Sequence, residues 1–96
     1  MMNNITFEPL KDTDLQYACQ LYEEAFPIEE RRDTSEWLLQ NKQNPLFNIL
    51  CIKQNQTFQG ILSYWTFESF HYIEHFAISP QQRGHGIGCA ALELFM

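Results

Sequence analysis

The sequence predicts an α/β fold whose elements follow the order β-α-α-β-β-β-α. Three observations carry this prediction. The first two are that the period of the apolar residues switches between two and about 3.6, and that prolines or glycines stand where it switches. Composition is the third, since 45% of the 96 residues are hydrophobic and 19% are charged. A single domain with a modest core is therefore expected.

The first predicted elements are a strand and two helices. Residues 4–10 alternate apolar and polar side chains up to Pro9, which is typical of a strand. Residues 12–26 carry apolar side chains at helical spacing and end before Pro27, with Asp12, Thr13 and Asp14 as candidate caps. A second, shorter helix is predicted over residues 33–42.

Three strands and a last helix follow. Residues 46–53 and 58–67 flank a polar turn and predict an antiparallel hairpin. Residues 70–78 predict a third strand, which Ser79 and Pro80 end. Helical spacing resumes at Gly86, so the last strand leads through a short loop into a helix.

Charge and composition disfavour several classes of protein. The formal net charge of −6 argues against nucleic acid as a partner and favours a cationic one. No apolar run reaches the roughly 18 residues of a membrane span, and no signal peptide is recognisable, so a cytoplasmic chain is expected. Three widely spaced cysteines predict neither a disulfide framework nor structural zinc. His71 and His75, predicted on one strand face roughly 13 Å apart, are too distant to share a metal ion.

A glycine-rich loop joins the last strand to the last helix. Gly84, Gly86 and Gly88 let backbone N–H groups turn toward one point, and the helix start adds unpaired amides. Such a loop binds anions, typically phosphate, and Arg83 adds a positive charge. A Walker A loop is excluded because no lysine follows, and a dinucleotide fingerprint is disfavoured because its third glycine position is Cys89. The plainer alternative is a tight strand-to-helix turn without a ligand.

This segment resembles the acetyl-CoA signature of the GNAT acetyltransferase superfamily, Q/R-x-x-G-x-G/A between a strand and a helix. The pattern fits residues 81–86 and again residues 83–88. The resemblance extends over nearly the whole chain and implies a GNAT-like fold with a mixed, mainly antiparallel sheet and helices on its faces. It also implies truncation before the fifth strand, so that residues 1–96 would form a single, incomplete domain.

The resemblance further implies a cofactor site around loop 81–89. Backbone groups of the last strand would pair with the pantetheine arm, and loop amides would hold the pyrophosphate. The residues implied are Phe76, Ala77, Ile78, Arg83, Gly84, His85, Gly86, Ile87, Gly88 and Cys89. Acetyl-CoA is thus the expected co-substrate, without a metal, although another acyl donor such as succinyl-CoA would fit the same loop.

The expected reaction transfers an acetyl group to an amine, which must lose its proton to a base. Glu74 is the candidate base, although regular alternation lets only one of Glu74 and His75 face the cleft unless a bulge intervenes. A solvated acid or a cross-strand ion pair is the alternative role for Glu74. Substrate contacts, or else merely a solvated loop, are expected from Glu29, Glu30, Arg31 and Arg32.

The expected partner is a small-molecule or peptide amine, with neither nucleic acid nor membrane involved. Without a fifth strand, the strand over 70–78 would expose an open edge, which a second copy of the chain could cover. We expect the chain alone to depend on a partner or to be poorly active. The alternative function is a catalytically impaired acyl-CoA-binding module that acts as a sensor or assembly surface. Tyr64, Trp65 and Phe67 are expected mostly in the core, with one or two lining the acceptor cleft.

Overall fold

A computed structural model of the chain describes residues 4–84 and 86–95. Its elements confirm the predicted order β-α-α-β-β-β-α. They are β1 (Ile5–Pro9), α1 (Leu15–Ala25), α2 (Thr34–Gln43), β2 (Phe47–Gln54), β3 (Thr57–Thr66), β4 (His71–Ile78) and α3 (Ile87–Phe95). Short 3-10 turns occupy Asp12–Asp14 and Pro80–Gln82. Within the described ranges, none of the helices combines the length and apolarity that a bilayer crossing needs.

The strands form an antiparallel sheet in the order β1-β2-β3-β4. The predicted hairpin is confirmed, and its turn places Asn55 and Gln56 at φ angles of 53° and 68°. Two consecutive left-handed residues give the turn a twist that matches the flanking strands. Among the described residues, β4 pairs with β3 alone and therefore forms one edge of the sheet.

Helices cover both faces of the sheet, as predicted. On one face, α1 and α2 bury the first apolar cluster, where the rings of Tyr22 and Trp37 stack with centroids 3.9 Å apart. On the other face, α3 covers a second cluster of Ile5, Ile52, Leu62, Ile78, Ile87 and Ala91. Burying both faces of a small sheet provides the core that a chain of this length needs.

Strands β3 and β4 approach each other most closely at Gly60. A Cβ atom at Gly60 would lie 2.3 Å from the Ala77 carbonyl oxygen and 3.1 Å from Ile78 Cα. Both contacts are with backbone atoms, which cannot rotate away as a flexible side chain can. Glycine at this position therefore sets how tightly β4 lies against the rest of the sheet.

The start of α1 differs from the expectation. Asp14 immediately precedes the helix, but no side-chain hydrogen bond caps it. Its buried carboxylate instead lies 3.1 Å from Lys53 Nζ on β2. The prediction of Asp14 as a helix cap is wrong because a buried ammonium group binds the same carboxylate.

Candidate functional site

The glycine loop and the first turn of α3 form a concave surface at the end of β4. Its volume is about 370 Å³, and it is lined by Ile78, Gln82, Arg83, Gly84, Gly86, Ile87, Gly88 and Cys89. All of these except Gln82 are residues predicted for the cofactor site. His85, also predicted there, lies outside the described residues.

The backbone of this loop adopts left-handed conformations at two glycines and leads into the start of α3. Gly84 and Gly86 have φ angles of 84° and 77°, a region that residues with a Cβ atom rarely adopt. The Gly86 carbonyl accepts a hydrogen bond from Ala90 N at 3.1 Å, so it begins the helical ladder. The N–H groups of Ile87, Gly88 and Cys89 then have no acceptor within the helix. With the positive end of the helix dipole, these donors suit a phosphate or pyrophosphate.

Arg83 closes the turn between β4 and the loop. Its Nε donates to the Ile78 carbonyl oxygen at 3.0 Å, while the side chain lies at the surface. The two Nη atoms of the guanidinium still carry N–H donors at the rim of the concave surface. Arg83 can therefore brace the loop and contact an anion with the same side chain.

The three predicted residues of β4 direct their backbone groups to two different edges. Ser79 N donates to the Gln59 carbonyl on β3 at 2.7 Å. Because N–H and C=O groups alternate between the edges of a strand, Ala77 also faces β3, whereas Phe76 and Ile78 face the edge left open in the described chain. The backbone groups at that edge are therefore those of Phe76 and Ile78, and the Ile78 carbonyl among them already accepts the hydrogen bond from Arg83 Nε.

A β-bulge interrupts β4 at Glu74. Ser63 pairs with His75 and the next residue of β3, Tyr64, pairs with Ile73, so Glu74 is the extra residue. The bulge lets Glu74 and His75 lie on the same face of the sheet, and Glu74 Oε2 is 3.4 Å from His75 Nδ1. This is the bulge that Glu74 and His75 need if both are to face one cleft.

The same bulge separates the two histidines of β4. The ring centre of His71 lies 5.4 Å from that of Tyr64 and 5.8 Å from that of Phe95, on the α3 side. His75 lies on the opposite side, so the prediction that they share a face is wrong. The bulge shifts the alternation by one residue between them. Within residues 4–84 and 86–95, no three His, Cys, Asp or Glu side chains come together as metal ligands would.

Glu74 is held by two other parts of the chain. Arg32 Nε and Nη2 donate to its two carboxylate oxygens at 2.9 and 3.0 Å, and Trp65 Nε1 donates to Oε1 at 3.1 Å. Burial favours the neutral acid, but these hydrogen bonds outweigh it and hold the pKa of Glu74 below its ordinary value. Glu74 is therefore a carboxylate at neutral pH, and its ion-pair partner comes from a loop rather than from the neighbouring strand.

A second concave surface, here called the acceptor surface, lies beside Glu74. Its volume is about 420 Å³, and it is lined by Glu29, Glu30, Arg31, Arg32, Tyr72, Glu74 and His75. The structure thus brings the four residues from which substrate contacts were expected, Glu29, Glu30, Arg31 and Arg32, together with the candidate base. Two hydrogen bonds shape the turn: Glu30 N donates to the Pro27 carbonyl at 2.8 Å, and Arg31 Nε donates to the Phe26 carbonyl at 3.0 Å.

His75 forms the inner wall of the acceptor surface. Its side chain is 5% exposed, too little for extensive contact with a ligand. Its Nδ1 lies 3.0 Å from Ser63 Oγ, and its ring packs edge-on against Tyr22 and Phe26 at 4.9 Å each. Burial lowers the pKa of His75 despite the nearby Glu74 carboxylate, so the ring is neutral at pH 7.

Comparison with known proteins places this geometry in a family. The family model described as the acetyltransferase (GNAT) family matches residues 15–96. The chain is similar to a GNAT-family protein from Bacteroides thetaiotaomicron, with a TM-score of 0.86 and 31% identity over 94% of this chain and 53% of that one. No curated protein matches the chain.

Two further solved structures share the fold. The ribosomal-protein-S18-alanine N-acetyltransferase from Escherichia coli has a TM-score of 0.70 and 20% identity, over 95% of this chain and 56% of that one. An acetyltransferase from Thermus thermophilus has a TM-score of 0.75 and 18% identity, over 98% of this chain and 68% of that one. The chain spans about half the length of the first two of these relatives. The family match over most of the chain, together with this shared fold, shows that the chain belongs to the GNAT acetyltransferase family.

Proposed function

We propose that this chain binds acetyl-CoA and provides the cofactor-binding part of an N-acetyltransferase acting on an amine. The observation that carries the proposal is the position of two surfaces along one strand: the amide-rich loop at the end of β4 and the acceptor surface at its bulge. Acetyl-CoA supplies an acetyl thioester, whose carbonyl carbon the amine nitrogen attacks while the sulfur leaves as a thiol.

The loop residues hold the phosphate end of the cofactor. The N–H groups of Ile87, Gly88 and Cys89 and the guanidinium of Arg83 bind the pyrophosphate. The open-edge N–H and C=O of Phe76 and the N–H of Ile78 would pair with the pantetheine arm as an added strand would, while the Ile78 carbonyl stays bonded to Arg83. Roughly four residues of extended chain, about 13 Å, separate Ile78 from Glu74, so the arm follows β4 toward the acceptor surface.

Glu74 receives the proton that the amine loses. An alkylamine has an ordinary pKa of about 10.4, so it enters as an ammonium and must be deprotonated before it attacks. The Glu74 carboxylate first binds that ammonium and then accepts the proton, directly or through a water molecule. Because its pKa is lowered, Glu74 is a weak base but stays negatively charged. Binding the ammonium group is therefore a larger contribution of Glu74 than accepting its proton. Glu29, Glu30 and Arg31 contact the rest of a small-molecule or peptide acceptor.

The alternative is an acyl-CoA-binding module that does not transfer the acyl group. Both functions require cofactor binding. They differ at the thioester, because the enzyme releases free thiol when an amine is added and the module does not. The proposal places either activity in the cytoplasm, which suits the three cysteines without disulfides.

Calorimetric titration with acetyl-CoA tests the site. Gly86→Glu puts a side chain and a negative charge at a residue with φ 77°, beside the first-turn amides. We expect its affinity to fall at least about tenfold, or 1.4 kcal/mol. Ser69→Glu is the matched control, because it adds the same charge at an exposed turn between β3 and β4.

Thiol release then separates the two functions. Wild-type chain is incubated with acetyl-CoA and a panel of primary amines, and free thiol is measured with a chromogenic disulfide. Release that depends on the amine supports the transferase, and binding without release supports the module. Equal affinity for acetyl-CoA in wild type and a folded Gly86→Glu variant would contradict the site itself.

A further inference from the structure

Arg32 joins the loop between α1 and α2 to the strand that carries the site. Its backbone N–H donates to the Tyr22 hydroxyl at 2.7 Å. The centre of its guanidinium lies 5.7 Å from the ring centre of Phe47 and 5.8 Å from that of Trp65. These contacts come from α1, β2 and β3, and they orient the Arg32 side chain independently of its ion pair with Glu74.

The Arg32 guanidinium meets Glu74 as a fork. Two parallel N–H groups reach the two carboxylate oxygens, and the Trp65 indole adds a third donor on Oε1. A carboxylate has roughly four acceptor positions, so these bonds leave about one, on Oε2. Oε2 also lies 3.4 Å from His75 Nδ1, but that nitrogen is already hydrogen-bonded to Ser63 Oγ at 3.0 Å. The side chains of Arg32 and Glu74 are 32% and 20% exposed, which places the pair at the wall of the acceptor surface.

We propose that Arg32 is a positioning residue that holds the Glu74 carboxylate at this wall with one oxygen position open to the acceptor amine. The inference rests on the proposed function, in which that amine binds Glu74. Arg32 itself acts through Glu74, whose orientation it fixes with a planar pair of hydrogen bonds.

The other groups that face Glu74 do not supply this restraint. Tyr22 on α1 is neutral at pH 7, since burial raises its pKa. His75 on β4 is neutral as well, and Trp65 on β3 is an uncharged donor. Arg32 is therefore the cation that contacts Glu74 within residues 4–84 and 86–95.

A site-resolved titration of the Glu74 carboxyl carbon by NMR tests the inference. Arg32→Met removes the charge and both hydrogen bonds while the burial stays, so the titration midpoint should rise by about 1 to 3 pH units. Arg32→Lys keeps the charge without the fork, so its midpoint should lie between those of wild type and Arg32→Met. The Trp65 indole N–H resonance should move in both variants, because the shared oxygen reorients.

Arg31→Met is the control for charge alone. It removes the guanidinium of the neighbouring residue, which donates a hydrogen bond to the Phe26 carbonyl and not to Glu74. Its midpoint should stay within a few tenths of wild type. The inference is overturned if Arg32→Met leaves the midpoint unchanged, or if Arg31→Met shifts it as far. If Arg32→Met does not fold, the midpoint and indole resonance of Arg32→Lys decide on the same criteria.

Two further readouts separate this inference from the proposed function. Acetyl-CoA affinity should be the same in Arg32→Lys and wild type, because the loop lies at the other end of β4. Where thiol release is measurable, the acid limb of its pH–rate profile should move with the titration midpoint of Glu74. A shifted midpoint without thiol release in any variant, wild type included, would refute transfer and leave the positioning role standing. Thiol release with an unshifted midpoint would refute the positioning role and leave transfer standing.

Discussion

Gly60→Ala tests the close contact between β3 and β4. The added methyl group would lie 2.3 Å from the Ala77 carbonyl oxygen and 3.1 Å from Ile78 Cα, so the two strands must separate. Overpacking of this kind costs about 1 to 3 kcal/mol, and a weakened interstrand hydrogen bond adds about 1 kcal/mol. We expect the free energy of unfolding to fall by about 2 to 4 kcal/mol in total, a large part of the stability of a small domain.

Urea unfolding, followed by tryptophan fluorescence and far-UV circular dichroism, measures this loss. The unfolding midpoint should fall by about 1 to 2 M with little change in slope. Gly88→Ala is the matched control, because its methyl group would lie 3.5 Å from Ile78 Cγ1 and 3.8 Å from the Phe76 ring, which is ordinary contact. Alanine also favours the helix by up to about 1 kcal/mol, so this variant should be as stable as wild type or more stable. A Gly60→Ala variant with the wild-type midpoint would refute the reasoning.

Three other predictions concern buried and exposed side chains. Lys53→Met should lower the free energy of unfolding by about 3 kcal/mol or more, because it leaves the Asp14 carboxylate buried without its cation; urea unfolding at pH 7 measures this, and a loss below about 1 kcal/mol would contradict it. A thiol reagent should label exposed Cys89 well before Cys51, since burial raises the pKa of Cys51 to about 12; mass spectrometry of the first labelled species shows which thiol reacts. The lowered pKa of His75 means that the unfolded chain binds a proton at higher pH than the folded one, so stability should fall, by up to about 1.4 kcal/mol per pH unit, as pH drops from about 6.5 toward the folded pKa. His75→Gln should flatten that dependence in urea unfolding measured across this pH range, and an unchanged slope would speak against it.

The order and approximate bounds of the elements were readable from the sequence because they depend on local patterns. Alternation, helical spacing and the prolines at 9, 27 and 80 each act within a few residues. The amide-rich loop was also predictable, since its geometry depends on glycines and on the helix that begins beside them.

The features that were missed or mispredicted depend on contacts between distant residues. Whether β4 carries a bulge depends on its pairing with β3, and reading it as a regular strand put His71 and His75 on one face, whereas they lie on opposite faces. In the sequence, Arg32 is one of four charged residues in a polar loop. Its contact with Glu74 was missed because the two residues are 42 positions apart. An arginine flanked by aromatic rings far along the chain gives no local pattern, so its role was visible only in three dimensions.

The extra residue at Glu74 divides β4 into two segments whose side chains alternate between the faces of the sheet in opposite phase. In residues 76–78 the side chains of Phe76 and Ile78 lie on the α3 side, whereas in residues 71–73 it is His71 and Ile73 that lie on that side, and Tyr72 lines the acceptor surface. A substitution at Tyr72 would therefore change the acceptor surface without disturbing the glycine loop at the other end of the strand. Deleting one residue that flanks Glu74 and His75 would remove the bulge and move one side chain to the far side of the sheet: Glu74 if Ile73 is deleted, His75 if Phe76 is deleted.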